Sequence, residues 1–155
     1  MITLEQALVH SCDIFFYKTG IALTVDLLAK YAEQFGFGEP AGLDLPGEKA
    51  GHVPSRAWKE RLFHLPWFPG NTVQLAIGQG YLLSTPLQLV QLLDLTALEG
   101  RAYRPHVIKR VEDARGRPLF EVAPAPLERV ITDPETVAFV ERVAHIEDLR
   151  DRNIG

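Results

Sequence analysis

Cysteine is nearly missing: Cys12 is the only one in 155 residues. No internal disulfide can form, and one thiolate is too few for a cysteine-based zinc site. The lone thiol also leaves the redox compartment unreadable. An excess of positive charge is missing too. Lys+Arg number 16 against 20 Asp+Glu, a formal net charge of -4, whereas a nucleic-acid binder needs a basic stripe facing phosphates. No run approaches the ~20 apolar residues that span a bilayer. The segment Met1-Ile2-Thr3-Leu4-Glu5-Gln6 has neither a basic n-region nor an apolar h-region, so no signal peptide is expected in it. Taken alone, these residues are expected to stay where they are made. What is present is material for a core. With 46% hydrophobic and 23% charged residues, the chain fits one globular domain or a large piece of one. That composition is not one of long disorder.

The first third has helical periodicity. Thr3 and Gln6 stand at capping-box spacing and open a helix to about His10. Ser11-Cys12-Asp13 interrupts it with residues that favour turns and caps. A second helix is expected from about Val25 to Phe35, with Leu27, Leu28, Tyr31 and Phe35 on one face and Gly36 and Gly38 as its stop. From Glu39 to Asn71 prolines and glycines interleave, which predicts loop with one short helix near Ser55 to Phe63. A loop that long is usually functional or wrapped around a site. Thr85-Pro86-Leu87-Gln88 opens the strongest helix, ended by Gly100; apolar residues on more than one face predict deep burial. Beyond Pro105 the period becomes strand-like. His106 to Val111 and Leu119 to Val122 suit a hairpin, Pro124-Ala125-Pro126 a connector, and Thr132-Asp133-Pro134-Glu135 the cap of a last helix carrying Val137, Phe139, Val140 and Val143. The expected fold class is α/β (α+β), helix-rich with late antiparallel strands. Residues 1–145 are read as one part-domain and 146–155 as a polar, frayed or truncated tail.

Local chemistry is sparse. The five histidines include no pair at i,i+3 or i,i+4, so a metal site has no local nucleus. Gly36-Phe37-Gly38-Glu39-Pro40-Ala41-Gly42 echoes a dinucleotide loop, but it follows a helix where that fingerprint needs a strand. His10, Ser11 and Asp13 contain the residue types of a hydrolase triad, yet sequence neighbours rarely face one another in that geometry.

Longer strings say more. Ser11-Cys12-Asp13-Ile14-Phe15-Phe16-Tyr17 resembles the second active-site motif of class B penicillin-binding proteins, the peptidoglycan D,D-transpeptidases. Leu43-Asp44-Leu45-Pro46-Gly47-Glu48, with Gly51, Pro54-Ser55 and Trp58-Lys59, is similar to that family's following loop. Trp67-Phe68-Pro69-Gly70-Asn71-Thr72, then Leu75-Ala76-Ile77-Gly78-Gln79-Gly80-Tyr81 and Thr85-Pro86-Leu87-Gln88-Leu89, is the most diagnostic stretch. The resemblance covers residues 3 to about 110 in order, is nearest the elongation-type penicillin-binding protein 2 group, and fades from about His145.

The resemblance implies acyl transfer through a serine ester. The family uses Ser-x-x-Lys for the nucleophile and its lysine, Ser-x-Asn or Ser-x-Asp, and Lys-Thr-Gly on a strand edge. By position, Ser11 would relay protons toward the leaving amine and contact the motif lysines. Asp13 would orient that lysine and the substrate amide; it stands where many relatives have Asn, and its charge would raise the lysine's pKa. These two are the expected catalytic residues. No Ser-x-x-Lys occurs in these residues, and Lys18-Thr19-Gly20 falls in an expected helix, so those letters are read as coincidence. Asn71 stands where relatives often carry Asp. Gly78 and Gly80 are expected to permit a tight turn, Gln79 to hold backbone groups there, and Trp58 and Trp67 to pack the loop. Implied partners are the D-Ala-D-Ala end of a peptidoglycan stem peptide, β-lactams and the cell-elongation machinery, with no nucleic acid and no metal or organic cofactor. The implied parent is anchored in the cytoplasmic membrane with this domain on its periplasmic or outer face. Without nucleophile and strand motif, these residues alone are expected to be inactive. The alternatives are a related serine β-lactamase or D,D-carboxypeptidase, and a standalone non-catalytic binding module derived from the same fold.

Overall fold

The computed structural model describes residues 2–98 and 100–127, together with Asp133, Glu135, Thr136, Ala138 and Phe139. The order is α1 (Leu4–Val9), α2 (Asp13–Gln34), α3 (Arg56–Phe63), α4 (Pro69–Leu75), α5 (Pro86–Ala97), β1 (Ala102–Tyr103), β2 (Arg110–Glu112), β3 (Pro118–Glu121) and β4 (Pro126–Leu127). Helices first and short antiparallel strands last is the expected class.

Helix starts follow the sequence closely. The Thr3 hydroxyl accepts the Gln6 N–H and the Gln6 side chain accepts the Thr3 N–H, at 3.2 and 3.0 Å. The same reciprocal pair, Thr85 with Gln88, opens α5. Each such cap satisfies N–H groups that have no partner inside the helix. The helix expected over 25–35 is the second half of α2, which continues back to Asp13 across a break at Thr24. Its end is a Schellman motif: Gly36, at φ 93°, donates to the Glu33 carbonyl and Phe37 to the Ala32 carbonyl.

Thr24 lies at φ 68°, ψ 163°, a region that is essentially glycine's alone and costs other residues on the order of 1–3 kcal/mol. Thr24→Gly is therefore expected to raise stability by about 1 kcal/mol, after allowing for glycine's larger unfolded-state entropy. The midpoint of urea unfolding checks it. A lower midpoint in the variant would show that Thr24 sits there without strain.

Four expectations need correction. The expected loop does not run to Asn71: residues 69–71 are the first turn of helix α4. Pro69 occupies the first turn, where its missing N–H costs nothing, and Asn71 Oδ1 accepts the Phe68 N–H. Helix α5 is not deeply buried all round. Gln88, Gln91 and Leu95 form its buried stripe, while Leu89, Val90 and Leu93 are exposed, Leu93 at 65%. Residues 106–109 do not join a strand, because Val107 and Ile108 give their N–H groups to the Asp44 carboxylate. The Val107 N–H also holds the Asp44 carboxyl below its ordinary pKa. The hairpin itself is shorter, β2 with β3, with a bulge at Val111/Glu112. Finally, Pro126 is no mere connector: with Leu127 it forms β4 and pairs with β1. The predicted last helix falls mostly outside the described residues, as does the 146–155 tail. Of its cap, Asp133 accepts the Thr136 N–H at 3.1 Å.

The helices cross where α2 meets α4. Gly20, buried in the middle of α2, faces Ala76 so closely that a Cβ on it would lie 2.4 Å from the Ala76 Cβ. This crossing sets where the N-terminal end of α2 stands.

Candidate active site

Helix α1 stops because Ser11 turns left-handed at φ 49°, a conformation that disfavours most side chains other than glycine and asparagine. The turn is held by backbone bonds, Ser11 N–H to the Leu8 carbonyl at 3.1 Å and Cys12 N–H to the Ala7 carbonyl at 2.8 Å. Cys12 then caps α2 with its backbone, its carbonyl accepting the Phe15 N–H at 3.0 Å. Asp13 is the first residue of α2, where the helix N-terminus favours a negative charge. Ser11 and Asp13 are exposed, and no hydrogen bond of either side chain is present among the described residues. The turn therefore presents two unspent polar groups at one helix end. His10 is exposed and bonded to neither, so the three do not form a triad. Beside the turn, Ile2, Cys12, Ile14, Phe15, Lys18 and Thr19 line an open, largely apolar groove of about 420 Å³.

Lys18-Thr19-Gly20 lies inside α2, as the expected helix required. Thr19 turns its hydroxyl back onto the Phe15 carbonyl at 3.0 Å, and Gly20 is the contact with α4. Neither residue is offered to a substrate from a strand edge.

The remaining motif residues build the support. An aromatic cluster joins α3 to the turn after α4: Trp58 lies 5.3 Å from Tyr81 and 5.6 Å from Phe63 between ring centroids, and Trp67 lies 6.5 Å from Tyr81. Both tryptophans pack, as expected. The Trp67 indole N–H donates to the Thr72 hydroxyl at 2.8 Å. His52 stacks on Trp58 at 4.2 Å, and burial of its ring pushes its pKa below the usual imidazole value. Gly78 and Gly80 take φ 73° and 75° in the tight turn. Gln79 does not brace that turn: its side chain is exposed and has no hydrogen-bond partner among the described residues. Gln74 lies against Gly80 instead.

Three residues hold the long loop, of which the sequence singled out Gln88 alone, and only as a cap. Gln88, 1% exposed, donates from Nε2 toward the carbonyls of Glu39, Ala50 and Gly36 at 2.7, 2.8 and 3.4 Å. One turn on, Gln91 donates to the Ala41 carbonyl at 3.2 Å. Within the loop the Glu48 carboxylate accepts the N–H groups of Ala41, Gly42 and Leu43 at 2.6, 3.0 and 3.0 Å. A Gln at capping-box spacing was readable, but the second use of its amide was not. Among the described residues no group of three metal-ligating side chains comes together, and no helix is long and apolar enough to cross a membrane.

Against known proteins, the description of the penicillin binding protein transpeptidase domain matches residues 1–150, past the point near His145 where the motifs fade. The peptidoglycan D,D-transpeptidase MrdA of Salmonella typhimurium is 34% identical over 134 residues, which are 86% of this chain and 21% of that protein. MrdA of Acinetobacter baumannii is 36% identical over 126 residues, 81% of this chain and 18% of that protein. The chain thus spans about a fifth of the length of these relatives. Among solved structures, PBP2 of Pseudomonas aeruginosa, crystallised with WCK 5153, superposes with a TM-score of 0.74 at 38% identity, over 92% of this chain and 31% of that one. PBP2 of Helicobacter pylori, solved in complex with MreC, gives 0.76 at 32% identity, over 94% and 25%.

Proposed function

The chain belongs to the penicillin-binding protein transpeptidase family, and on that premise we propose that it supplies the second active-site motif and the helical core of a serine D,D-transpeptidase. The observation that carries the proposal is the turn at Ser11, which sets Ser11 and Asp13, exposed, at the N-terminal end of α2. In the reaction proposed, a serine from a Ser-x-x-Lys segment attacks the D-Ala-D-Ala carbonyl and expels D-alanine, leaving an ester that an acceptor amine resolves into the cross-link. Ser11 passes a proton toward the departing amine. Asp13 holds the motif lysine and the substrate amide in register. A β-lactam enters the same path and stops at the ester.

The exposed apolar residues Ile14 and Ile21 on α2 and Leu89, Val90 and Leu93 on α5 favour this reading over a standalone module, because a finished surface rarely leaves so many large apolar side chains open to water. The parent is proposed to be held at the cytoplasmic membrane with this domain on the outer face, and to work with the elongation machinery; PBP2 of Helicobacter pylori has been solved with MreC.

Intact-mass spectrometry after incubation with benzylpenicillin tests the assignment. The 155 residues alone, which contain no Ser-x-x-Lys, are expected to gain no adduct. A transpeptidase domain completed with the nucleophile and strand motifs is expected to gain one penicilloyl group, more slowly by ~10²-fold in Ser11→Ala, the scale of losing one proton-transfer group. An adduct on the 155 residues alone, or full speed in Ser11→Ala, would overturn it.

A further inference from the structure

Lys59 is 2% exposed, and a buried ammonium ordinarily faces a carboxylate. Among the described residues it has no ion pair. Its Nζ donates instead to Asn71 Oδ1, 2.6 Å away, and lies 4.4 Å from the centre of the Phe68 ring, 5.9 Å from that of Tyr81 and 6.0 Å from that of Trp67. Ring faces attract a desolvated cation more strongly than an exposed one, so the aromatic residues stand in for the missing anion. The same Asn71 oxygen accepts the Phe68 N–H at 3.1 Å. One neutral oxygen therefore ties α3 to the first turn of α4.

From there the contacts run to the catalytic end. Thr72, next along α4, is held by the Trp67 indole. Its carbonyl and the Ala76 side chain are the atoms that meet Gly20 on α2. Seven residues before Gly20 on the same helix is Asp13, with Ser11 just ahead of it. The half of α2 from Asp13 to Leu23 is a regular helix until the break at Thr24, so whatever fixes Gly20 also fixes that end.

We propose that Lys59 is a positioning residue for the transpeptidase reaction: by pinning the first turn of α4 through Asn71, it fixes the α2–α4 crossing and with it the placement of Ser11 and Asp13. This rests on the functional reading above. Lys59→Met keeps the apolar stem and deletes the ammonium, which removes the tie from α3 to Asn71 and leaves only the Phe68 N–H on that oxygen. Asn71→Asp gives the ammonium a charged acceptor in the same place and keeps the tie.

The test is the time course of acylation by a fluorescent penicillin in the completed transpeptidase domain. Its amplitude counts folded, competent sites, while its rate constant reads their geometry. Lys59→Met is expected to keep the amplitude and lose ~10-fold or more in rate, since about 1 Å of misplacement can cost 10²-fold. Asn71→Ala is expected to do the same, and Asn71→Asp to stay within about threefold of the parent. A wild-type rate in Lys59→Met overturns the proposal. So does a loss confined to amplitude in both Lys59→Met and Asn71→Ala, which would assign the pair to stability alone. A parent domain that forms no adduct at all overturns the functional reading itself, and this inference with it.

Discussion

Gly51→Ala is expected to lower the unfolding free energy by about 3–4 kcal/mol, with a matching fall in the urea midpoint. Gly51 sits at φ 65°, and a Cβ there would lie 2.3 Å from the Leu83 carbonyl oxygen and 2.9 Å from Gln88 Oε1. The left-handed backbone alone costs an alanine roughly 1–2 kcal/mol. The clash adds to it because a carbonyl cannot swing aside as a flexible side chain can. Moving it also breaks the two bonds of the His52–Leu83 bridge, N–H to carbonyl at 2.7 and 2.9 Å, each worth about 1 kcal/mol. Gly47 is the internal control. It has φ 87°, but a Cβ there would meet nothing within 4 Å, so Gly47→Ala is expected to cost only the backbone part, about 1–2 kcal/mol. Equal losses at the two glycines would show that close approach to Leu83 contributes nothing.

Gln88→Met is expected to be as damaging, about 3–5 kcal/mol. Methionine matches the shape and fills the space, so the loss is one of hydrogen bonds. The carbonyls of Glu39 and Ala50, the longer contact to Gly36 and the Thr85 N–H all lose the Gln88 side chain. A buried polar group left without one costs about 1–3 kcal/mol. Hydrogen exchange locates the effect: amides of 36–51 are expected to lose protection before those of α2, because Gln88 holds the loop and not the helix crossing. A loss under about 1 kcal/mol, or one spread evenly over the chain, would mean that the loop is held mainly by the Glu48 carboxylate.

Local chemistry made much of this fold legible. Thr3 with Gln6 and Thr85 with Gln88 are caps whose partners lie three residues apart, so sequence spacing is the whole of the geometry. Gly36 ended its helix for a reason equally local, a backbone conformation that glycine adopts freely. The proposed site residues were legible for a different reason, the resemblance of Ser11-Cys12-Asp13 and the strings after it to one family. Helix α4 escaped notice because Pro66, Pro69 and Gly70 read as loop punctuation, whereas Pro69 in fact begins a helix.

Legible in the amino-acid string, then, were the cap-defined starts of α1 and α5, the short helix α3, the Gly36 stop, a late hairpin and the family. Only folding decided that Gly20 serves a helix crossing, that Gln88 spends its amide on three distant carbonyls, and that Lys59 is buried against aromatic rings with no ion pair among the described residues. The difference is one of reach. A cap or a turn is settled by groups a few residues apart, so composition and spacing contain it. Gln88 bonds to residues 38 to 52 positions away, and Gly20 meets Ala76 across 56. Such contacts exist only once the chain has folded back on itself, and nothing in the local sequence encodes which partner will arrive.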